Sequence, residues 1–526
     1  MCDKDVSDKI IRNTAFNILA KVWFSILGLL LTPYIMQHLG VERFGVLSLV
    51  GVLTSYLGLL DLGVGNSFVK YVSQFYAIKD FLALNRLVVT GFLFYAILGV
   101  LMLSSSFFLI KLLVLFFKIP VFLSSEAEFV FLLGIATLCV SNAFGPFIAI
   151  IPGLQRMDIA NIISILVSFV TVIGTVFSLK QGWGLSGLMI TNATVVLLTV
   201  LANMIITHRL LPQFSFHFRF FDGSLLKRIF KFGFQVQFSR ISSTITTHTD
   251  KLLITYFLNL ALVSFYQLGS TIVSYAMSIP ALLVSPFVPA FSELSARQQR
   301  QKLIDVYLRS TKYLAFVTVP IFMAIAVQSH RIMRVWMGSG FEQAGLVIQI
   351  LCSAYLLNMF ARLSSAFAMS IEKTDIMMKS SLITIIVNII ASILFIKLLG
   401  FAGVAWGTAI AVNLGTWYFL RQLHKKINIT WSAYTKVTMP FLGCGILAFF
   451  VQIILDIWLN YFKTSRLIEA VIMVACLIFS SVIYMILVLV VKIFDDTDRS
   501  FIKEKFPAFS NWLERWLGKI AASVKM

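Results

Sequence analysis

Arg240, Thr244, Thr247 and Lys251 fall on one narrow helical face, at about 100° per residue, within the stretch FGFQVQFSRISSTITTHTDKLLITYF. Thr14, Asn17, Lys21, Ser25, Gly28 and Thr32 form a second such stripe near the start of the chain. Both stripes lie in segments long enough to cross a bilayer, where a charge facing lipid costs at least about 2.5–3.5 kcal/mol. Two polar stripes, each with a cation, are therefore expected to line a shared wet cavity. Arg362 adds a further cation, and Gln235, Gln237, Ser243 and His248 add polar groups to the same region. Cations gathered without matching acids imply an anionic ligand, with phosphate or pyrophosphate the natural candidate. The plainer alternative is that Lys21 and Arg240 snorkel to the inner interface. Lys251, near the outer end, would snorkel outward or pair with Asp250.

The elements that must position these residues are helices in a membrane. Of 526 residues, 59% are hydrophobic and 13% charged, against about 25% charged in soluble domains. Apolar runs of about 20 residues recur throughout, each able to cross some 30 Å of hydrocarbon. They predict an all-α polytopic protein with fourteen spans, at roughly 14–36, 44–66, 87–110, 127–150, 159–179, 184–206, 234–257, 262–288, 311–329, 345–369, 380–396, 402–420, 437–458 and 467–491. Roughly 30 of the 43 Lys and Arg fall in segments that are cytoplasmic if the N-terminus is inside. This is the positive-inside pattern. It places both termini in the cytoplasm and accounts for the net charge of +20 without nucleic acid. By depth, Lys21, Arg240 and Arg362 then lie in the cytoplasmic half of the membrane. The start, MCDKDVSDKIIRN, lacks the small-residue cleavage site of a signal peptide.

An internal repeat organises the spans. An offset of 219 carries Ser55-Tyr56 onto Ser274-Tyr275 and Phe68-Val69 onto Phe287-Val288, while LQRMDI (154–159) meets IEKTDI (371–376) at 217. The same register matches Lys21 with Arg240. The predicted organisation is an N-lobe of six spans (1–210), a cytoplasmic linker (211–231) and a C-lobe of six spans (232–427). An appended pair of spans (428–492) and a cytoplasmic tail (493–526) follow, the tail carrying an interfacial amphipathic helix. Parallel repeats of this kind hold substrate between the lobes.

LGLLDLGVGN closes span 2 with Asp61 among Gly58, Gly63 and Gly65, and Pro280 and Pro286 occupy the corresponding part of span 8. Both devices weaken a helix, giving a kink, tight packing or a hinge. Asp61 can be structural, a partner of Lys21, or a proton or cation site for coupling. Asp158 and Asp375 are expected as helix N-caps, and Glu42–Arg43 as a solvated outer turn. The five cysteines lack metal or CxxC spacing and read as apolar fillers. No nucleotide-binding, metalloprotease or serine-hydrolase motif occurs, and no loop is long enough for a catalytic domain. Neither metal nor cofactor is expected, and the chain is not expected to be an enzyme.

LGVERFGVLSLVGVLTSYLGLLDLGVGNSFVKYVSQF (39–75) resembles the opening region of Wzx-type polysaccharide-repeat flippases, of the multidrug/oligosaccharidyl-lipid/polysaccharide exporter superfamily. The resemblance implies that undecaprenyl-pyrophosphate-linked oligosaccharide moves from inner to outer leaflet of a bacterial inner membrane. O-antigen, capsule or exopolysaccharide assembly would follow, with a polysaccharide polymerase as a possible partner. It also implies lobes that rock in alternating access, spans 13 and 14 forming a lipid-tail groove, and the glycan held near Gln235, Gln237, Ser243, Thr244 and Thr247. Proton or sodium coupling is compatible with it, and a cavity formed within one chain points to a monomer. The alternatives are a drug or organic-cation antiporter of the same fold, which needs intramembrane acids, and a membrane polymerase or ligase of glycan assembly.

Overall fold

The computed structural model describes residues 2–459, 465–495 and 498; the side chains of residues 2–12, 14, 15, 66, 231, 232, 234–236, 238 and 239 lie outside the described set, as does the predicted helix of the tail. The described residues are helical almost throughout and include no strand. Lipid offers no hydrogen-bond partner, so each crossing segment satisfies its backbone internally. Eleven helices are long and apolar enough to cross a membrane, which makes this a multi-pass membrane protein. Three further segments make fourteen spans compatible with the structure. They are the second half of Cys2–Leu57, beyond the non-helical Gly40 (φ 76°), the polar helix Gly223–Phe257, and Phe401–Ile427.

The chain divides into two compact units, one of residues Met1–Tyr275 and Met378–Gly415, the other of Ala276–Met377 and Thr416–Met526. The first is centred on Phe68, Val72, Leu87, Val88, Ile150 and Ile229, none measurably exposed. The linker between spans 6 and 7 is strapped to this core. Phe214 and Phe216 pack against Phe147, Asn85 and Ser215 exchange two hydrogen bonds, and the Asp222 N–H donates to Thr90 Oγ1 at 2.9 Å. The Asp222 carboxylate then caps the helix Gly223–Phe257 by accepting from Ser224 and Leu225 N–H. The Ser224 hydroxyl, with those backbone donors, holds its carboxyl below the usual carboxylate range.

The second unit carries its polar groups as buried networks. Arg331, 2% exposed, pairs with Asp456 at 2.9 Å and Glu469 at 3.5 Å, tying the appended spans 13 and 14 to the short helix Ser329–Trp336. The Tyr307 hydroxyl bonds Ser364 and His424 Nε2. Lys312 pairs with the fully buried Asp498, where the chain leaves span 14.

Three local expectations change. Asp158 lies within the first turn of Met157–Lys180, paired with Arg156 at 3.1 Å, and Asp375 within the first turn of Thr374–Leu399. Both favour the helix dipole from inside the turn rather than capping it. Arg43 reaches across to Glu126 at 2.8 Å, so the turn between spans 1 and 2 is pinned to span 4. The four described cysteines are buried and free, as apolar fillers would be.

Candidate functional site

Span 2 breaks where its glycines cluster. The helix ends in a 3-10 turn, Gly58–Asp61, passes through Leu62 (φ 52°) and Gly63 (φ 76°), and resumes as Val64–Ala77. A break frees carbonyls and N–H groups that must find partners inside a membrane. The Asp61 carboxylate supplies one by accepting the Gly65 N–H at 2.9 Å.

Hydrogen bonds between spans 2 and 7 add to this. Gln237 Nε2 donates to the Leu59 carbonyl at 2.7 Å, and Ser67 Oγ donates to the Ile229 carbonyl at 3.4 Å. Between them Gly63 and Gly233 meet backbone to backbone. A Cβ on Gly233 would lie 2.6 Å from the Gly63 oxygen. Farther along, the Tyr56 hydroxyl and Thr249 Oγ1 bond at 2.9 Å. Gln237 and Thr249 of span 7 thus answer span 2 on either side of its break.

Arg240 sits at the centre of this seam. Its guanidinium, about half exposed, donates to Asp61 Oδ2 at 3.2 Å. Asp61 is only 6% exposed and also accepts from the Tyr95 hydroxyl. Asp61 is therefore matched to Arg240, and among the described residues no ion pair involves Lys21, which is exposed on span 1.

The other predicted residues distribute as follows. Ser243 and Thr247 are exposed on span 7, Thr244 is half-buried, and Gln237 is buried in the seam. His248 is half-buried, edge-on to Tyr56. The Gln235 side chain lies outside the described set. Asn17 is exposed and accepts from Asn161 Nδ2 at 2.7 Å, so it leans on span 5. Arg362 is exposed at the start of Arg362–Ser370, in the second unit. Pro280 lies inside the continuous helix Leu260–Val284, and the interruption of span 8 falls at Ser285-Pro286.

A second polar centre lies deeper in span 7. Asp250, 1% exposed, accepts on Oδ2 from the Tyr266 hydroxyl and from Thr408 Oγ1 (2.6 Å). Asn388 Nδ2 donates to the same Thr408 oxygen at 2.8 Å, and Ser392 is fully buried beside it. Asp250 Oδ1 and Asn388 Oδ1 are buried without a hydrogen-bond partner. Two unpartnered oxygens in one buried cluster suit a proton or a hard monovalent cation, which prefers oxygen ligands. Lys251 is buried next to this centre in sequence, and among the described residues no ion pair joins it to Asp250.

Tyr95, Gly233, Tyr266, Asn388 and Thr408 escaped the sequence reading. Asn388 alone carried a signal, an amide in the middle of an apolar span.

A helical bundle with a broken span packed on a polar one, and buried charge on both, defines a multi-pass membrane protein with a polar interior. The family model described as "Polysaccharide biosynthesis protein" matches residues 10–295, and that described as "Lipid II flippase MurJ" matches residues 159–473. The chain belongs to the polysaccharide-biosynthesis flippases of the multidrug/oligosaccharidyl-lipid/polysaccharide superfamily. Its similarity to "Probable flippase AglR" of Haloferax volcanii is 20% identity over 473 residues, 89% of this chain and 93% of that one. A more local match, 23% over 180 residues, spans only 38% of "Probable low-salt glycan biosynthesis flippase Agl15" of the same organism and 34% of this chain. Among solved structures, the lipid II flippase MurJ in an inward closed conformation superposes with a TM-score of 0.69 at 18% identity, covering 91% of this chain and 98% of that one. An inward-facing multidrug resistance MATE transporter gives 0.63 at 16%, covering 79% and 94%.

Proposed function

We infer that this flippase carries an undecaprenyl-pyrophosphate-linked oligosaccharide from the inner to the outer leaflet of a bacterial cytoplasmic membrane, for surface-polysaccharide assembly. The observation that carries the substrate class is Arg240, a half-exposed guanidinium inside a membrane span. Lys21, its repeat mate, stands exposed on span 1. The diphosphate binds these cations, and Arg362 and Lys251 take part where the cavity brings them within reach. The exposed hydroxyls of Ser243 and Thr247 face the glycan, and the polyprenyl chain stays in lipid. Two six-span lobes, 1–210 and 232–427, rock about the broken ends of spans 2 and 8, with both chain termini in the cytoplasm.

Coupling belongs to the Asp250 centre rather than to Asp61. Asp61 already has three donors, whereas Asp250 and Asn388 hold two oxygens in reserve. A proton or sodium ion there stabilises one lobe arrangement over the other, which is all that an ion can contribute to a conformational cycle. The protein acts as a monomer, and a polysaccharide polymerase consumes what it delivers.

The test uses cells lacking the protein, with lipid-linked oligosaccharide scored by leaflet and complemented by wild type, Arg240→Ala or Lys21→Ala. Accumulation in the inner leaflet that only wild type clears is the expected result. An unchanged leaflet distribution without the protein refutes glycan transport. The MATE-like fold then directs attention to organic-cation efflux, for which Asp250 is the acid available.

A further inference from the structure

Resting on the assignment of Arg240 to the diphosphate, we propose that Asp61 is an internal stand-in for that diphosphate, holding Arg240 until the substrate exchanges it away. Both partners are built for exchange. Asp61 is almost fully buried, yet only one of its three hydrogen bonds comes from span 7. The other two, from the Tyr95 hydroxyl and the Gly65 N–H, come from the same side as Asp61 itself, on spans 3 and 2. When Arg240 leaves, the carboxylate gives up the donor on Oδ2 but keeps both donors on Oδ1, so its charge stays partly compensated in a low-dielectric setting where a bare charge would be prohibitive.

Arg240 is correspondingly free to leave. Guanidinium has five N–H donors, and Asp61 takes one, at 3.2 Å from a side chain about half exposed. A diphosphate offers more charge and more acceptors than a carboxylate, in a geometry that suits the guanidinium fork. Exchange therefore favours the substrate once it arrives.

The position of the pair gives the exchange a consequence. Asp61 is the last residue of the 3-10 turn at the helix break, two residues before Gly63, whose backbone meets Gly233. Releasing Arg240 removes the charged bond across this seam and leaves Gln237–Leu59 and Ser67–Ile229 as its hydrogen bonds nearby. Substrate binding and loosening of the seam between spans 2 and 7 are thereby one event. With no substrate, Asp61 also neutralises a cation that would otherwise attract other anions.

Two substitutions on the Asp61 side have opposite predicted signs. Asp61→Asn removes the competing charge, so diphosphate binding tightens about tenfold. Tyr95→Phe removes a donor, so Asp61 leans harder on Arg240 and binding weakens several-fold. A merely structural role would weaken both. The probe is inorganic pyrophosphate, titrated calorimetrically against the full chain in lipid nanodiscs, with thermal unfolding followed in parallel. Undecaprenyl pyrophosphate added to the disc should displace the inorganic anion, and failure to do so overturns the lipid-headgroup assignment. Arg240→Ala should weaken binding and make Asp61→Asn silent in the double variant. If Arg240→Ala binds like wild type, the assignment of Arg240 fails and this inference with it. If Arg240→Ala weakens binding but Asp61→Asn leaves it unchanged or weaker, the exchange alone is refuted. Should Asp61→Asn fail to fold, Tyr95→Phe is read with and without Arg240→Ala: exchange requires weaker binding that becomes silent in the double variant, whereas tighter or unchanged binding, or a loss that persists without Arg240, is incompatible with it.

Discussion

Replacing Gly63 by alanine puts a methyl group where the Gly233 carbonyl already is, in a backbone conformation (φ 76°) that alanine avoids. The left-handed conformation costs a non-glycine residue roughly 1–2 kcal/mol. Overpacking against a rigid neighbour adds about 1–3 kcal/mol, and here the neighbour is backbone, which cannot rotate away as a side chain can. The φ cost is local to the break and is present in either arrangement, whereas the overpacking of roughly 1–3 kcal/mol falls only on the arrangement in which spans 2 and 7 touch. At about 1.4 kcal/mol per factor of ten, the separated arrangement gains at least about fivefold in relative population. Ser67 reports on it, being fully buried and bonded across the seam to Ile229. With Ser67→Cys as background, the rate of labelling by a water-soluble maleimide should rise by that factor in Gly63→Ala. Gly58→Ala is the control, because no atom lies within 4 Å of its added Cβ and its φ is ordinary. Equal labelling of the two alanine variants, both folded, would falsify the backbone-contact account of the seam.

The remaining outcomes follow from buried polar groups. Asp250→Asn should abolish the dependence of transport on its driving cation while leaving pyrophosphate binding intact. Asn388→Ala should only raise the cation concentration needed, as read from initial rates across sodium and pH series. Arg331→Ala should lower stability by about 3–5 kcal/mol because it removes the buried cation that Asp456 and Glu469 share, leaving Arg334 at 3.5 Å from Glu469 alone. Adding Asp456→Asn and Glu469→Gln should restore much of the loss in a thermal unfolding assay.

The spans were legible because lipid imposes a length and an apolar composition that sequence displays directly. Even span 7, which hydropathy passes over, was visible as a helix whose polar residues keep a 3.6-residue period. Asp61 and its glycines marked a break for the same local reason. The partner of Asp61 was not legible. Arg240 lies 179 positions away, and choosing it over Lys21 depends on the path of the chain after Gly63. The Gly63–Gly233 contact was not legible, since close backbone approach is a property of the pair: Gly63 read only as part of the break, and Gly233 carried no signal. Asp250 was visible as an acid beside Lys251, but its true neighbours, Tyr266, Asn388 and Thr408, arrive from spans 8, 11 and 12. Arg43 likewise took Glu126 over the adjacent Glu42 because the turn at Gly40 aims it across the bundle.

The strapped linker has a consequence for how this chain is made. Synthesis completes spans 1 to 6 before span 7 leaves the ribosome. By then Asp61, the Leu59 carbonyl and the cleft at Gly63 exist, and the Phe214–Phe216 strap holds the emerging chain beside them. A segment as polar as 232–257 gains little from partitioning into lipid on its own. It enters the membrane beside partners that already await its glutamine and arginine, so its insertion is an act of folding as much as of solvation.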